Sequence, residues 1–347
     1  MKNVFICFSM YLLLSCSVKQ NIPNSQSDNS INYAKTITQD ELKTHLYIYA
    51  SDEFEGRDTG EPGQKKAIAY LKNYYIKEGV KAPLGGDTYF QKVPASFMNK
   101  RKRGKTIKDS ENVVAYIKGS QKPNEVVVIS AHLDHIGKRN GRIYNGADDD
   151  GSGTVAILEI AQAFQQAVKE GNGPKRSILF LHVTAEEKGL LGSKYYVEHP
   201  IFPLVNTVAN LNIDMIGRID ERHQNNPNFI YLIGADKLSS ELHVLSEKIN
   251  KKFINLNLDY TYNDERDPNR FYYRSDHYNF AKYNIPIIFY FNGTHDDYHR
   301  ETDTPDKINY DLLETRTRLI FHTAWEIANR KERLVVDKPV EIPTKNN

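Results

Sequence analysis

Two kinds of apolar pattern alternate along this chain. Residues 126–130, 177–183, 229–233 and 285–291 are short, nearly continuous apolar runs, which suit strands buried on both faces, and 205–213 reads as another strand. Residues 89–93 and 112–117 alternate apolar with polar, as half-covered strands do. Between these runs the apolar positions recur at helical spacing. In residues 38–49 they are Leu42, Leu46 and Tyr49, with Thr38 as N-cap and Glu41 three residues on. A second helix is predicted over 64–78, closed by Gly79, and others over 153–169, 239–253 and 312–329. Shorter helical pieces end near Val197 and cover 276–283, and residues 255–275 read as a polar, tyrosine-rich loop. Strands alternating with helices predict an α/β fold, a three-layer sandwich whose mostly parallel central sheet carries helices on both faces. We expect one such domain over residues 36–335, followed by a polar tail at 336–347.

The N-terminus departs from this pattern. Residues 1–16 read MKNVFICFSMYLLLSC, one lysine and then an apolar stretch too short to span a membrane, as in a signal peptide. Leu13-Leu14-Ser15-Cys16 resembles the bacterial lipobox, which implies cleavage before Cys16 and attachment of lipid to it. Residues 17–35 are rich in Ser and Asn and read as a flexible tether. The expectation is a protein anchored by lipid to the membrane of the bacterial cell envelope.

Charge and cysteine content narrow the chemistry. With 46 basic and 44 acidic residues among 347 the formal charge is +2, and the one basic run, Lys100 to Lys105, reads as a solvated hairpin tip. Nucleic acid is therefore not an expected partner. Both cysteines, Cys7 and Cys16, precede the folded part, so a metal site would draw on His, Asp and Glu. Those residues cluster after predicted strands, where open α/β sheets bind ligands. His132 and Asp134 follow one strand, Glu186 and Glu187 the next, Asp214 ends a third, and Tyr298 and His299 lie beyond a fourth. Singly, each suits a solvated or capping role, and Asp148 to Asp150 before Gly-Ser-Gly could be a helix N-cap run. Together they point to a metal centre.

HLD at 132–134, GADDDGSG at 146–153, TAEEKGLLGS at 184–193, NIDMIG at 212–217 and the late Tyr298-His299 with its trailing Asp303-Thr304 resemble the co-catalytic di-zinc aminopeptidases of peptidase clan MH. The segment GRDTGEPG at 56–63 adds to the likeness, which spans roughly residues 40 to 330. The resemblance implies two zinc ions, with manganese or cobalt as substitutes. Asp149 would bridge them, His132 and Asp214 would complete one site, and Glu187 and His299 the other. It implies Glu186 as general acid and base, Tyr298 as oxyanion donor, and a cis peptide between Asp149 and Asp150. Asp134 is placed two residues on to orient His132. Two ions sharing a water suit this nitrogen and oxygen donor set. Tyr298 has a second reading as a packed loop tyrosine.

The expected activity is removal of N-terminal residues from peptides with a free N-terminus, by a monomer. A glutaminyl cyclase, a carboxypeptidase on the same fold, or a non-catalytic binding module are the other readings. His132 disfavours the cyclase, and the filled ligand positions disfavour the binding module. Ser275-Asp276-His277 cannot be a serine triad, because adjacent side chains diverge. Tyr260, Tyr262, Phe271, Tyr272 and Tyr273 either line a pocket for the first side chain or pack at the surface. Asp296 and Asp297 either meet the substrate amine or cap a turn.

Overall fold

The computed structural model describes residues 26–100 and 106–342. The leader, the Cys16 motif, the tether as far as residue 25, the basic run at 101–105 and the last five residues lie outside them. The elements are α1 (Gln26–Ala34), α2 (Gln39–Tyr49), α3 (Pro62–Glu78), β1 (Phe90–Val93), α4 (Ala95–Met98), β2 (Ser110–Ile117) and β3 (Lys122–His132). After them come β4 (Gly137–Arg139), β5 (Arg142–Tyr144), α5 (Gly153–Lys169), β6 (Arg176–Val183), α6 (Leu191–Glu198) and β7 (Thr207–Ile213). The chain continues through β8 (Phe229–Ile233), α7 (Ser240–Phe253), β9 (Asn257–Asp259), α8 (His277–Ala281), β10 (Ile287–Phe291) and α9 (Tyr310–Asn329).

Eight strands form one sheet in the order β1-β2-β6-β3-β7-β10-β8-β9. Its centre, β6-β3-β7-β10, is parallel throughout, so these four strands deliver their carboxyl ends to one edge. The apolar runs were legible because both faces are covered. Val127, Ile129 and Ala131 pack with α2, α3, α5 and α9, while Val126 and Val128 pack with α6 and α8 on the other face. The local signals hold as well. Thr38 caps α2 by accepting from the Glu41 amide, and Gly79 ends α3 in the left-handed region at φ 80°.

Two expectations at the ends of the domain need correction. The polar composition of residues 17–35 predicts a tether, yet residues 26–34 form α1 and dock on the body. Tyr33 is buried with its ring 5.4 Å from that of Trp325 on α9, and its hydroxyl donates to Glu170. The tail from residue 336 is also tied down in part. Lys338 donates its amide to the Leu238 carbonyl, and Val340 exchanges two hydrogen bonds with the Asn284 side chain. The folded unit therefore extends beyond 36–335 at both ends.

Candidate metal centre and active site

His132 is the last residue of β3, and its amide donates to Asp150 Oδ2. Its Nδ1 lies 3.0 Å from the main-chain oxygen of Asp134, which leaves Nε2 facing Asp149 Oδ1 at 3.1 Å and Asp214 Oδ1 at 3.5 Å. Asp214 follows β7, and its other oxygen accepts from Ser275 Oγ at 2.6 Å. His299, beyond β10, brings Nε2 to 3.0 Å from Asp149 Oδ2 and 3.5 Å from Glu187 Oε1. The five side chains expected as ligands thus converge, with Asp149 between the two groups. Glu186 and Tyr298 line the same cavity.

Asp134 is corrected in its role. Its carboxylate does not touch His132; it accepts from Thr59 Oγ1 at 2.7 Å and from the Glu186 amide at 3.1 Å. It braces the loop that carries Glu186, and only its backbone carbonyl orients the imidazole.

The three consecutive aspartates divide their work by hydrogen bonding. Asp148 accepts from the Gly217 amide and from Ser152 Oγ, and Asp150 accepts from the amides of His132, Gly153 and Met215. Each ties the start of α5 to neighbouring strand ends. Asp149 alone turns both oxygens toward the histidines. The Asp149–Asp150 peptide is cis. The trailing Asp303 accepts from the amides of Asp148 and Asp149, which fixes the turn from outside. Gly146 is required here: a Cβ would sit 2.2 Å from the Asp149 oxygen and 2.5 Å from the His135 ring. Arg57, from the segment at 56–63, is buried and donates to the carbonyls of Tyr49, Leu133, Asn145 and Gly146, joining both ligand-bearing loops. Ala185, Met215 and His299 all lie at positive φ beside the site, a conformation that non-glycine residues keep only where the surroundings impose it.

Electrostatics agree with a cation site. Burial opposes charge on His132, but Asp214 and Asp149 outweigh it and hold the imidazole well above its ordinary pKa. Burial also opposes charge on Asp149, and His135, His132 and His299 outweigh it, holding the carboxyl well below the usual range. Burial, with Asp276, Asp214 and Glu187 adding to it, pushes Glu186 well up, and burial raises Asp276 to about 7. Asp149 Oδ2 and Glu187 Oε1 are buried yet accept no hydrogen bond. Among the described residues neither carboxylate has a lysine or arginine partner, so a divalent cation fits what is missing. The donors are imidazole nitrogens and carboxylate oxygens, a set that zinc accepts.

The cavity, about 440 Å³, is polar at this end and apolar at the other, where Met215, Phe271, Phe289 and Phe291 meet. Of the loop aromatics only Phe271 and Tyr273 line it. Tyr260 bonds Glu247, and Tyr262 packs between Tyr231 and Phe271. Tyr298 is both pocket wall and packed residue: its ring stacks on His299 with centroids 3.9 Å apart, and its hydroxyl accepts from Arg274. Asp297 pairs with Arg218 and Lys307, so it serves the loop. Ser275, Asp276 and His277 point to Asp214, Ser193 and the Tyr272 carbonyl respectively, which disposes of a triad.

His135 went unassigned in the sequence reading. It is fully buried, and its Nδ1 lies 3.0 Å from Glu187 Oε1 and 3.7 Å from Asp149 Oδ2. The signal available was a second histidine three residues after His132.

The profile of Peptidase family M28 matches residues 112–324. The leupeptin-inactivating enzyme 1 of Streptomyces exfoliatus is 30% identical over 256 residues, covering 73% of this chain and 49% of its own. Leucine aminopeptidase 2 of Trichophyton rubrum is 29% identical over 243 residues, covering 62% and 44%. The chain spans about half, or less, of the length of the curated relatives it matches. Among solved structures, the Legionella pneumophila LapA aminopeptidase superposes with a TM-score of 0.69 at 23% identity, over 93% of this chain and 78% of that one. BSAP, a zinc aminopeptidase from Bacillus subtilis, gives 0.63 at 17% identity, over 88% and 99%. These likenesses establish the fold.

Proposed function

The chain belongs to peptidase family M28, and from that premise we propose that it is a zinc-dependent aminopeptidase taking one residue at a time from the free N-terminus of peptides. The observation that carries this reading is the convergence of His132, Asp149, Glu187, Asp214 and His299 on one wall of a cavity that also contains Glu186. His132, Asp149 and Asp214 would hold one zinc ion; Asp149, Glu187 and His299 would hold a second. Bound there, the ions would lower the pKa of a water and polarise the scissile carbonyl.

The protein's own groups supply the rest. Glu186 has a raised proton affinity and stands within the cavity, which suits a carboxylate that takes a proton from the attacking water and returns it to the leaving amine. The Tyr298 hydroxyl stays protonated, since burial raises its pKa, and it serves as donor to the developing oxyanion. Met215, Phe271, Phe289 and Phe291 favour an apolar first side chain. The leader ending at Cys16 supports lipid anchoring at the bacterial cell envelope; a Cys16→Ser chain that still incorporates labelled palmitate would end that part of the reading.

The test is mass spectrometry of a mixed pool of free, acetylated and N-terminal Gln peptides incubated with zinc-loaded protein. Ladders shortened only from free N-termini are expected. Glu186→Gln should lower kcat by about 10²–10⁴ with zinc content unchanged. Ammonia loss from the Gln peptides would instead indicate a cyclase, shortening from the C-terminus a carboxypeptidase, and an untouched pool a binding module.

A further inference from the structure

We propose that His135 is a sixth protein ligand of the metal centre, sharing the second ion with Glu187, His299 and Asp149. This rests on the two-metal reading above and adds a residue to it. Three atoms from three residues, His135 Nδ1, Asp149 Oδ2 and Glu187 Oε1, lie within 4.8 Å of one another. All three are buried and none has a hydrogen-bond partner. The distance from Nδ1 to Glu187 Oε1, 3.0 Å, would suit a hydrogen bond, but the ring does not direct an N–H along it. His299 Nε2 stands in the same relation to Asp149 Oδ2, at 3.0 Å with that oxygen still unbonded. Groups that crowd together without bonding one another are arranged around a common centre.

The ring is also fixed in place. It packs against Gly146, where a Cβ would meet it at 2.5 Å, and lies edge-on to His299 with centroids 5.9 Å apart. The His135 amide donates to the Arg57 carbonyl, so the residue belongs to the same braced loop as His132. A neutral imidazole must carry one N–H and one lone pair, and a buried polar group left unpaired is destabilising. Both ring nitrogens are buried without a partner; ligation through Nδ1, the one that faces Glu187 and Asp149, satisfies the lone pair there and places the proton on Nε2.

The consequence is an asymmetric centre. One ion would be held by one imidazole and two carboxylates (His132, Asp149, Asp214), the other by two imidazoles and two carboxylates. The richer nitrogen set favours zinc over magnesium or calcium and predicts that the His135 position fills first.

The experiment is NMR of the protein labelled with ¹⁵N-histidine and loaded with ¹¹³Cd. Three imidazoles should show ¹⁵N–¹¹³Cd coupling, two through Nε2 and one, His135, through Nδ1. A His135 Nδ1 that keeps its proton and shows no coupling would overturn the assignment and leave a hydrogen-bond donor to Glu187. His135→Asn keeps a donor near the Nδ1 position but removes the imidazole. Titration calorimetry should then show one of the two metal equivalents weakened by about 10-fold or more, with the other unchanged; unaltered affinity for both would count against ligation. Should the wild-type protein take up fewer than two equivalents, the two-metal reading itself fails, and this assignment with it.

Discussion

Replacing Glu159 by Gln should stabilise the protein, by an amount that grows with pH. Glu159 lies on α5 with its side chain fully buried, and neither carboxylate oxygen has a hydrogen-bond donor. Among the described residues its ion-pair partner is His45, whose Nε2 is 3.5 Å away and whose Nδ1 faces Tyr70 Oη at 2.6 Å. Burial, with Glu41 and Glu78 adding to it, raises the Glu159 carboxyl to about 9, and burial lowers the pKa of His45. Near neutrality both are therefore uncharged in the folded state. In the unfolded chain a glutamate titrates near 4.3, so between that pH and about 9 the folded state binds the extra proton. Stability is then greatest below the unfolded pKa and falls as pH rises through this window, by up to about 1.4 kcal/mol per pH unit. At pH 7 the accumulated loss is about 4 kcal/mol, which Gln at this position would not suffer.

The assay is denaturant unfolding of wild type and Glu159→Gln from pH 5 to 8.5, both saturated with zinc so that metal binding contributes equally. The two should differ by only about 1 kcal/mol at pH 5. By pH 7 the variant should be ahead by about 4 kcal/mol, or roughly 5–10 °C in Tm. A difference that stays flat with pH, or a variant less stable throughout, would mean that Glu159 is ionised and paired with a charged His45. The burial argument would then be wrong.

Two further perturbations follow from single contacts. Ser275→Ala removes the hydrogen bond that holds Asp214 Oδ2 and leaves the Asn212 amide without its acceptor. Zinc affinity at one equivalent should fall by about 10–100-fold, read by calorimetry, while the variant stays folded; unchanged affinity would show that Asp214 is oriented by other means. Tyr33→Ala deletes the aromatic that docks α1 on Trp325, and it should cost about 3 kcal/mol of stability without altering kcat. A variant as stable as wild type would restore the tether reading for residues 26–34.

Much of this arrangement was readable before folding, for reasons that differ by element. The central strands were legible because helices on both faces demand unbroken apolar runs, as at 177–183. The helix α1 was not. Its sequence QSDNSINYA is polar, and what holds it is tertiary: one buried face centred on Tyr33. Asp134 stands two residues from His132 in sequence, but β3 ends at His132 and the chain turns there, so that closeness does not decide where its carboxylate points. The partners that saturate Asp148 and Asp150, Gly217 and Met215, lie more than sixty residues away, and no local spacing encodes them. The same holds for His135, whose importance appears only when Glu187 from the next strand end comes within 3.0 Å. The aromatics of the long loop could not be sorted because facing depends on β10, which supplies Phe289 and Phe291 opposite Phe271.

The site owes its order to two populations of carboxylate. Asp134, Asp148, Asp150 and Asp303 are supplied with N–H and O–H donors, Asp148 also with His295 Nε2 at 3.1 Å, so each holds a loop in position. Asp149 Oδ2 and Glu187 Oε1 face the cavity without donors. The first population prearranges the ligands, so little ordering remains to be done when a cation binds. The second concentrates negative potential that, among the described residues, only the neighbouring imidazoles offset, with no lysine or arginine paired to it, and a buried carboxylate in that state is costly. Metal affinity then comes from relief of that cost as much as from new bonds. It must depend on pH, since protons and cations compete for the same oxygens and nitrogens. Arg57 and Thr59, remote in sequence from all the ligands, belong to this design: they tie down the loops whose carboxylates and imidazoles are left bare.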